Sequence, residues 1–178
     1  MGAAPHGGAP PRRTRRESLS LDPAIVETLM GVSTATLTTI LLKKGLRNVW
    51  MRGTRPLQPG QGRLVGKAFT LRFVPAREDL ATPASWGAPI STRAAIEAMP
   101  PGVIAVADAM GVTDAGIFGD ILCARMVQRG VAGLVTDGVV RDAEGVLGTG
   151  LPVWCDGVAA PPSVAGLTFV GWQEPIAC

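Results

Sequence analysis

Gly119-Asp120-Ile121-Leu122-Cys123-Ala124-Arg125-Met126-Val127-Gln128-Arg129-Gly130-Val131-Ala132-Gly133-Leu134-Val135-Thr136-Asp137-Gly138-Val139-Val140-Arg141-Asp142 is the stretch that decides the fold. It reads as a short helix over 120–129, an apolar strand over 132–136 and a glycine turn bearing Arg-Asp. Upstream, Val103-Ile104-Ala105-Val106-Ala107-Asp108 is a near-continuous apolar run, the pattern of a strand buried on both faces. Strand, helix and strand at this spacing predict a right-handed β-α-β crossover with parallel strands, and so an α/β fold.

In such a unit the helix N-terminus and the carboxyl ends of the strands share one sheet edge, where ligands bind. The spacing therefore predicts that Asp108, Asp120, Arg141 and Asp142 meet there. Gly119 permits close backbone approach. The amides of Asp120, Ile121 and Leu122 fall in the first helical turn, where donors lack intrahelical partners and the dipole favours an anion. Arg141 can grip a carboxylate with two parallel hydrogen bonds. Asp142 is an oxygen ligand for a hard cation such as Mg²⁺, directly or through water. Together they suit a 2-oxo acid chelated to a divalent metal, whose enolate such a site stabilises, with Asp120 or Asp108 moving protons.

Each residue also has a plainer reading. Asp120 can be only an N-cap, Gly138 only a turn residue, and Arg141–Asp142 only a surface ion pair. Adjacent residues of an extended chain face opposite ways, so these two share a site only if the backbone turns there. Cys123, inside the helix, reads as core. Asp79, Asp114 and Glu144 read as solvated or turn residues.

Further out, Asp22-Pro23 resembles an N-cap followed by proline at the first helical position, with Ile25, Val26, Leu29 and Met30 on one face. Ser33 can cap a second helix with Leu37, Ile40 and Leu41 inward. Phe69, Leu71 and Phe73 alternate as in a strand. Residues 76–89 read as a loop, Ser91–Met99 as a helix, and 167–170 as a final strand.

At 178 residues and 47% hydrophobic, the chain can bury the core of one domain. Four arginines against one glutamate within residues 1–17 account for the whole formal excess of +3, leaving 18–178 neutral. We therefore expect a disordered basic tail over 1–17 and a single domain over 18–178. A neutral domain with 4% aromatics and no tyrosine is poorly suited to nucleic acid. The three cysteines lack zinc spacing, and the single histidine, His6, lies in the tail, which argues against a zinc site or a histidine-based triad. The odd cysteine count fits a reducing, cytoplasmic setting. No apolar run reaches the roughly 18 residues of a membrane span. No Gly-rich nucleotide loop follows an N-terminal strand, which argues against methyl transfer.

Gly119–Leu122, Gly133–Asp142, Leu151-Pro152-Val153 and Leu64–Ala68 together resemble the family of the regulator of ribonuclease activity A (RraA). That family includes the class II 4-hydroxy-4-methyl-2-oxoglutarate/4-carboxy-4-hydroxy-2-oxoadipate aldolases. The resemblance covers roughly residues 20–178. It implies a compact layered sheet-and-helix domain with a β-α-β core, assembled as a homotrimer or homohexamer with sites at subunit interfaces. It also implies backbone binding of a pyruvyl group by Gly119, Asp120, Ile121 and Leu122. Arg141 then binds substrate, Asp142 holds Mg²⁺ or Mn²⁺ largely through water, and Asp120 transfers protons. The implied reactions are retro-aldol cleavage and oxaloacetate decarboxylation. Family members usually continue with further strands and a helix, so the chain reads as C-terminally shortened. The Pro/Gly-rich segment 81–91, with Trp86, leaves the distal half of the substrate open. Two alternatives stand beside the lyase: a non-catalytic regulator binding a ribonuclease or another protein, and a sugar-acid pathway enzyme acting on a 2-oxo-3-deoxy acid.

Overall fold

The computed structural model describes residues 21–178. The expected tail over 1–17 and the expected domain start at 18 lie outside the described residues. Two helices come first. Asp22 accepts a hydrogen bond from the Ala24 amide (2.9 Å) and opens α1 (Pro23–Gly31). Ser33 accepts from the Thr36 amide (3.1 Å) and opens α2 (Thr34–Lys43). Both starts follow the sequence signals, because each side chain satisfies an amide that the first turn leaves unpaired. Arg63 closes the far end of α1 by donating to the carbonyls of Leu29 (3.2 Å) and Met30 (2.8 Å).

The apolar faces of these helices turn inward less than expected, with Val26, Leu29, Leu37 and Leu41 only half-buried. Neither helix holds a buried residue, and Ile25, Met30 and Ile40 are 50%, 47% and 44% exposed. Periodicity marks an apolar face but not what covers it. No other described element buries this one.

The rest is built on a six-stranded sheet. Its strands are β1 (Arg55–Pro56), β2 (Ala68–Pro75), β3 (Ile104–Asp108), β4 (Gly133–Thr136), β6 (Val153–Cys155) and β8 (Leu167–Trp172). The order is β1-β6-β4-β3-β2-β8, parallel through the centre and antiparallel at both edges. A separate parallel pair joins β5 (Val139–Val140) to β7 (Gly157–Val158). The helices α3 (Thr92–Ala98), α4 (Asp120–Gln128) and α5 (Ala143–Gly148) pack in sequence, α3 on α4 and α4 on α5. The β3-α4-β4 unit is the predicted crossover with parallel strands.

The alternation in β2 holds, with Phe69, Leu71 and Phe73 all buried. They join Ala105, Leu134 and Val153 from the sheet, Ile96 from α3, and Cys123 and Met126 from α4 in one core. Each large side chain buried there contributes roughly 1.5–3 kcal/mol relative to exposure. β3 departs from its reading. Ile104 and Val106 are only half-buried, so that strand is fully covered on one face alone. β2 is closed on its outer side by β8, where the Thr70 amide donates to Gln173 Oε1 (3.2 Å) and the Thr70 hydroxyl to the Glu174 carbonyl (2.8 Å). Segment 76–89 is not wholly loop, since a 3-10 turn at Pro83–Gly87 carries Trp86. The elements β5, β7 and α5 are not evident in the sequence.

Candidate functional site

The second, smaller sheet places the site. The segment 116–119 runs beside β5, with Ile117 N–H donating to the Val139 carbonyl (3.0 Å) and Arg141 N–H to the Phe118 carbonyl (2.9 Å). Gly116 also bridges to Pro162 beyond β7. Arg141 is thereby delivered beside Gly119, the residue that caps α4.

The backbone turns at Asp142, as a shared site requires. Asp142 has φ +54° and ψ +48°, a left-handed conformation rare for residues other than glycine, asparagine and aspartate. The cost of such a conformation is of order 1–3 kcal/mol and is sustained only where surroundings over-determine it. Here the Asp142 carbonyl accepts the Val146 amide (2.9 Å), which starts α5, and Asp142 Oδ2 accepts from Arg141 Nε (2.8 Å). The two side chains that would diverge in an extended strand form one ion pair.

Two glycines make room for this pair and for Asp120. A Cβ on Gly119 would lie 2.7 Å from Asp142 Oδ2 and 3.2 Å from Arg141 Cγ. A Cβ on Gly145 would lie 2.7 Å from Asp120 Cβ, so α5 can approach α4 only without a side chain there. Asp120 Oδ1 accepts the Ile121 amide at 2.7 Å. An anion seated on the first turn of α4 would exchange with that contact.

Gly119, Asp120, Ile121, Leu122, Arg141 and Asp142 all line one cavity of about 210 Å³, with Trp86, Thr92 and Arg93 on another wall. Of the residues expected at this edge, all but Asp108 are therefore in one place. Asp108 Oδ1 accepts the Met110 amide (3.1 Å) and its Oδ2 the Ala177 amide (2.8 Å). Beside it Asp137 accepts the amides of Ala109 (2.7 Å) and Gly111 (2.9 Å). The two carboxylates pin a loop in which Met110 and Gly111 both have positive φ, and this carries Asp108 away from the cavity.

The candidate metal ligand fits a hydrated divalent cation. Asp142 Oδ2 is engaged by Arg141, while no hydrogen bond occupies Oδ1 among the described residues. Mg²⁺ is commonly held by one or two carboxylates with several waters retained. Among the described residues the close group of three possible ligands is a different one, Asp108, Asp137 and Cys178. Burial there pushes the Cys178 thiol up to about 12, reinforced by Asp137 and Asp108, and burial also raises Asp137.

Cys123 is core, as its helix position suggests. It is fully buried, and burial pushes its thiol up to about 12. A maleimide or iodoacetamide at pH 8 is therefore expected to leave Cys123 unmodified in the folded chain and to modify it after denaturation. Peptide mass spectrometry reads the difference, and ready labelling of the native protein would contradict this placement.

Comparison with known proteins adds four findings. Residues 33–178 match the family model described as RraA-like, Aldolase/RraA. The chain is 34% identical to Streptomyces coelicolor RraAS2, an unusual member of the RNase ES inhibitor RraA protein family, with a TM-score of 0.75 over 88% of this chain and 74% of that one. It shares the fold of the RNA-processing inhibitor RraA from Thermus thermophilis at 21% identity and a TM-score of 0.53, over 74% and 70% of the two chains. Protein DlpA of Legionella pneumophila is 27% identical over 136 residues, which is 76% of this chain but 21% of the relative, so the chain spans about a fifth of that protein's length.

Proposed function

Because the chain belongs to the RraA-like, Aldolase/RraA family, we propose that it is a divalent-metal-dependent lyase of a pyruvyl-containing 2-oxo acid such as 4-hydroxy-4-methyl-2-oxoglutarate or oxaloacetate. The observation that carries this reading is the left-handed turn at Asp142, which sets a guanidinium and a carboxylate together at the N-terminus of α4. The turn brings the two side chains to one point at a helix N-terminus, which an anion clamp beside a cation ligand requires.

Arg141 grips the substrate carboxylate, and the amides of Asp120, Ile121 and Leu122 face the pyruvyl oxygens. Asp142 would hold Mg²⁺ or Mn²⁺. When bound, the cation supplies Lewis-acid polarisation of the 2-oxo group. For the retro-aldol reaction, the C4 hydroxyl proton passes to Asp120, directly or through water. The C3–C4 bond then breaks, and its electron pair remains on the pyruvyl fragment as an enolate that takes a proton at C3. One 4-hydroxy-4-methyl-2-oxoglutarate thus yields two pyruvates. Positive charge and N–H dipoles fixed around that enolate lower the barrier because they need no reorganisation as charge develops.

We place the enzyme in the cytoplasm as a homotrimer or homohexamer, the uncovered apolar faces of α1 and α2 meeting another copy. The test is pyruvate release from both substrates, with Mg²⁺ and with EDTA, for wild type and Arg141→Ala. Loss of a charged hydrogen-bonding partner predicts a fall in kcat/KM of about a hundredfold or more. Unchanged turnover in Arg141→Ala would sink the reading. The likeness to an RNase ES inhibitor family member favours one rival, a regulator that binds a ribonuclease. A folded wild type that releases no pyruvate but retains a ribonuclease in a pull-down would favour that rival.

A further inference from the structure

Two cavities meet at Arg93. The 210 Å³ cavity that holds Arg141 and Asp142 shares Arg93, Asp120, Ile121 and Leu122 with an adjoining groove of about 780 Å³. The groove runs on along α4 past Arg125. That second cation is already taken, since its Nε and Nη2 donate to the two carboxylate oxygens of Glu97 at 2.6 and 2.8 Å. Arg93 has no carboxylate partner among the described residues. Its guanidinium carbon lies 5.9 Å from the centre of the Trp86 ring. Trp86 is half-buried on a 3-10 turn held by Ser85, whose amide and hydroxyl both donate to the Thr82 carbonyl. The 3-10 turn sets where the ring stands against the exposed Arg93 guanidinium, whose N–H groups remain available to another acceptor.

We propose that Arg93, steadied by Trp86, is the residue that selects the distal end of the substrate and requires a second anionic group there. This rests on the lyase reading for the near end, where Arg141 takes the first carboxylate. Two guanidiniums lining one connected space discriminate a dianion from a monoanion of similar shape, because each lost charged hydrogen bond penalises only the ligand that makes it.

The experiment compares wild type, Arg93→Ala and Arg93→Lys on two cleavable substrates. One is 4-hydroxy-4-methyl-2-oxoglutarate, with a distal carboxylate, and the other is 4-hydroxy-2-oxopentanoate, without one. Arg93→Ala is expected to lower kcat/KM for the first by roughly tenfold to a hundredfold, mostly through KM, and to leave the second unchanged, with partial recovery in Arg93→Lys. Calorimetric titration of the Mg²⁺-loaded protein with 2-oxoglutarate and with pyruvate gives a readout independent of turnover. Weaker 2-oxoglutarate binding with unchanged pyruvate binding upholds the assignment even if neither substrate is cleaved. Equal losses on both ligands, or none on either, overturn it while the lyase reading stands. A wild type that binds neither ligand overturns both.

Discussion

Gly119→Ala is expected to lower kcat/KM by about a hundredfold or more while the protein stays folded. The backbone is not the reason. Gly119 has φ −121° and ψ −171°, an extended conformation open to any residue. The added methyl is the reason, since it would sit 2.7 Å from Asp142 Oδ2 and 3.2 Å from Arg141 Cγ. Carbon and oxygen without a hydrogen bond need a separation nearer 3.3 Å, so the Arg141–Asp142 pair must move by roughly half an ångström or more. Both residues belong to the clamp, and misplacements of about 1 Å can cost on the order of a hundredfold in rate. Gly62→Ala is the control, because a Cβ there meets nothing within 4 Å. Circular dichroism and a thermal melt establish that the variant is folded, and pyruvate release reads the effect. Full activity in a folded Gly119→Ala protein would mean that the observed approach of Asp142 to Gly119 is not the working geometry.

Phe73→Ala is expected to be the most damaging single truncation for stability, costing about 3–5 kcal/mol. Phe73 is 1% exposed and stands edge-on to Phe118 (centroids 6.4 Å apart) and to Phe169 (5.1 Å). It therefore ties β2 to β8 on one side and to the segment leading into α4 on the other. Removing the ring leaves a cavity bounded by paired strands, which cannot close freely around it. For a domain of this size the loss corresponds to a melting point lower by roughly 6–20 °C. Urea unfolding should show the same change in midpoint, with Phe73→Leu between wild type and alanine. A loss below about 1 kcal/mol would mean that the neighbouring rings collapse into the space.

The central unit was legible because its signals are redundant. β3 and β4 are apolar runs, and a helix with a glycine before it and Gly130 after it lies between them. The rule that ligands gather at the carboxyl edge of parallel strands then brought Gly119, Asp120, Arg141 and Asp142 together without any structure. It brought Asp108 along wrongly, because the direction of the chain after β3 is set by Asp137 gripping two amides across the loop, and no local pattern records that. β5 and β7 have two residues each, too few to show a period, yet they deliver Arg141 to the site. The caps of α1 and α2 were readable at Asp22 and Ser33, but a buried face is a property of two surfaces and the sequence describes one. Trp86 was noticed only as part of an unusual loop. Its relation to Arg93 depends on a 3-10 turn folding back onto α3.

The pairing of β2 with β8 also sets a timetable. Thr70 finds its partner 103 residues later, at Gln173, whereas β3, α4 and β4 can assemble as soon as residue 136 is free. At about 5–20 residues per second, a nascent chain carries β2 with one edge open for roughly 5–20 s after its emergence. An open edge of alternating apolar residues is the surface on which strands of neighbouring chains add. Between the birth of β2 and that of β8, that edge is open to such addition.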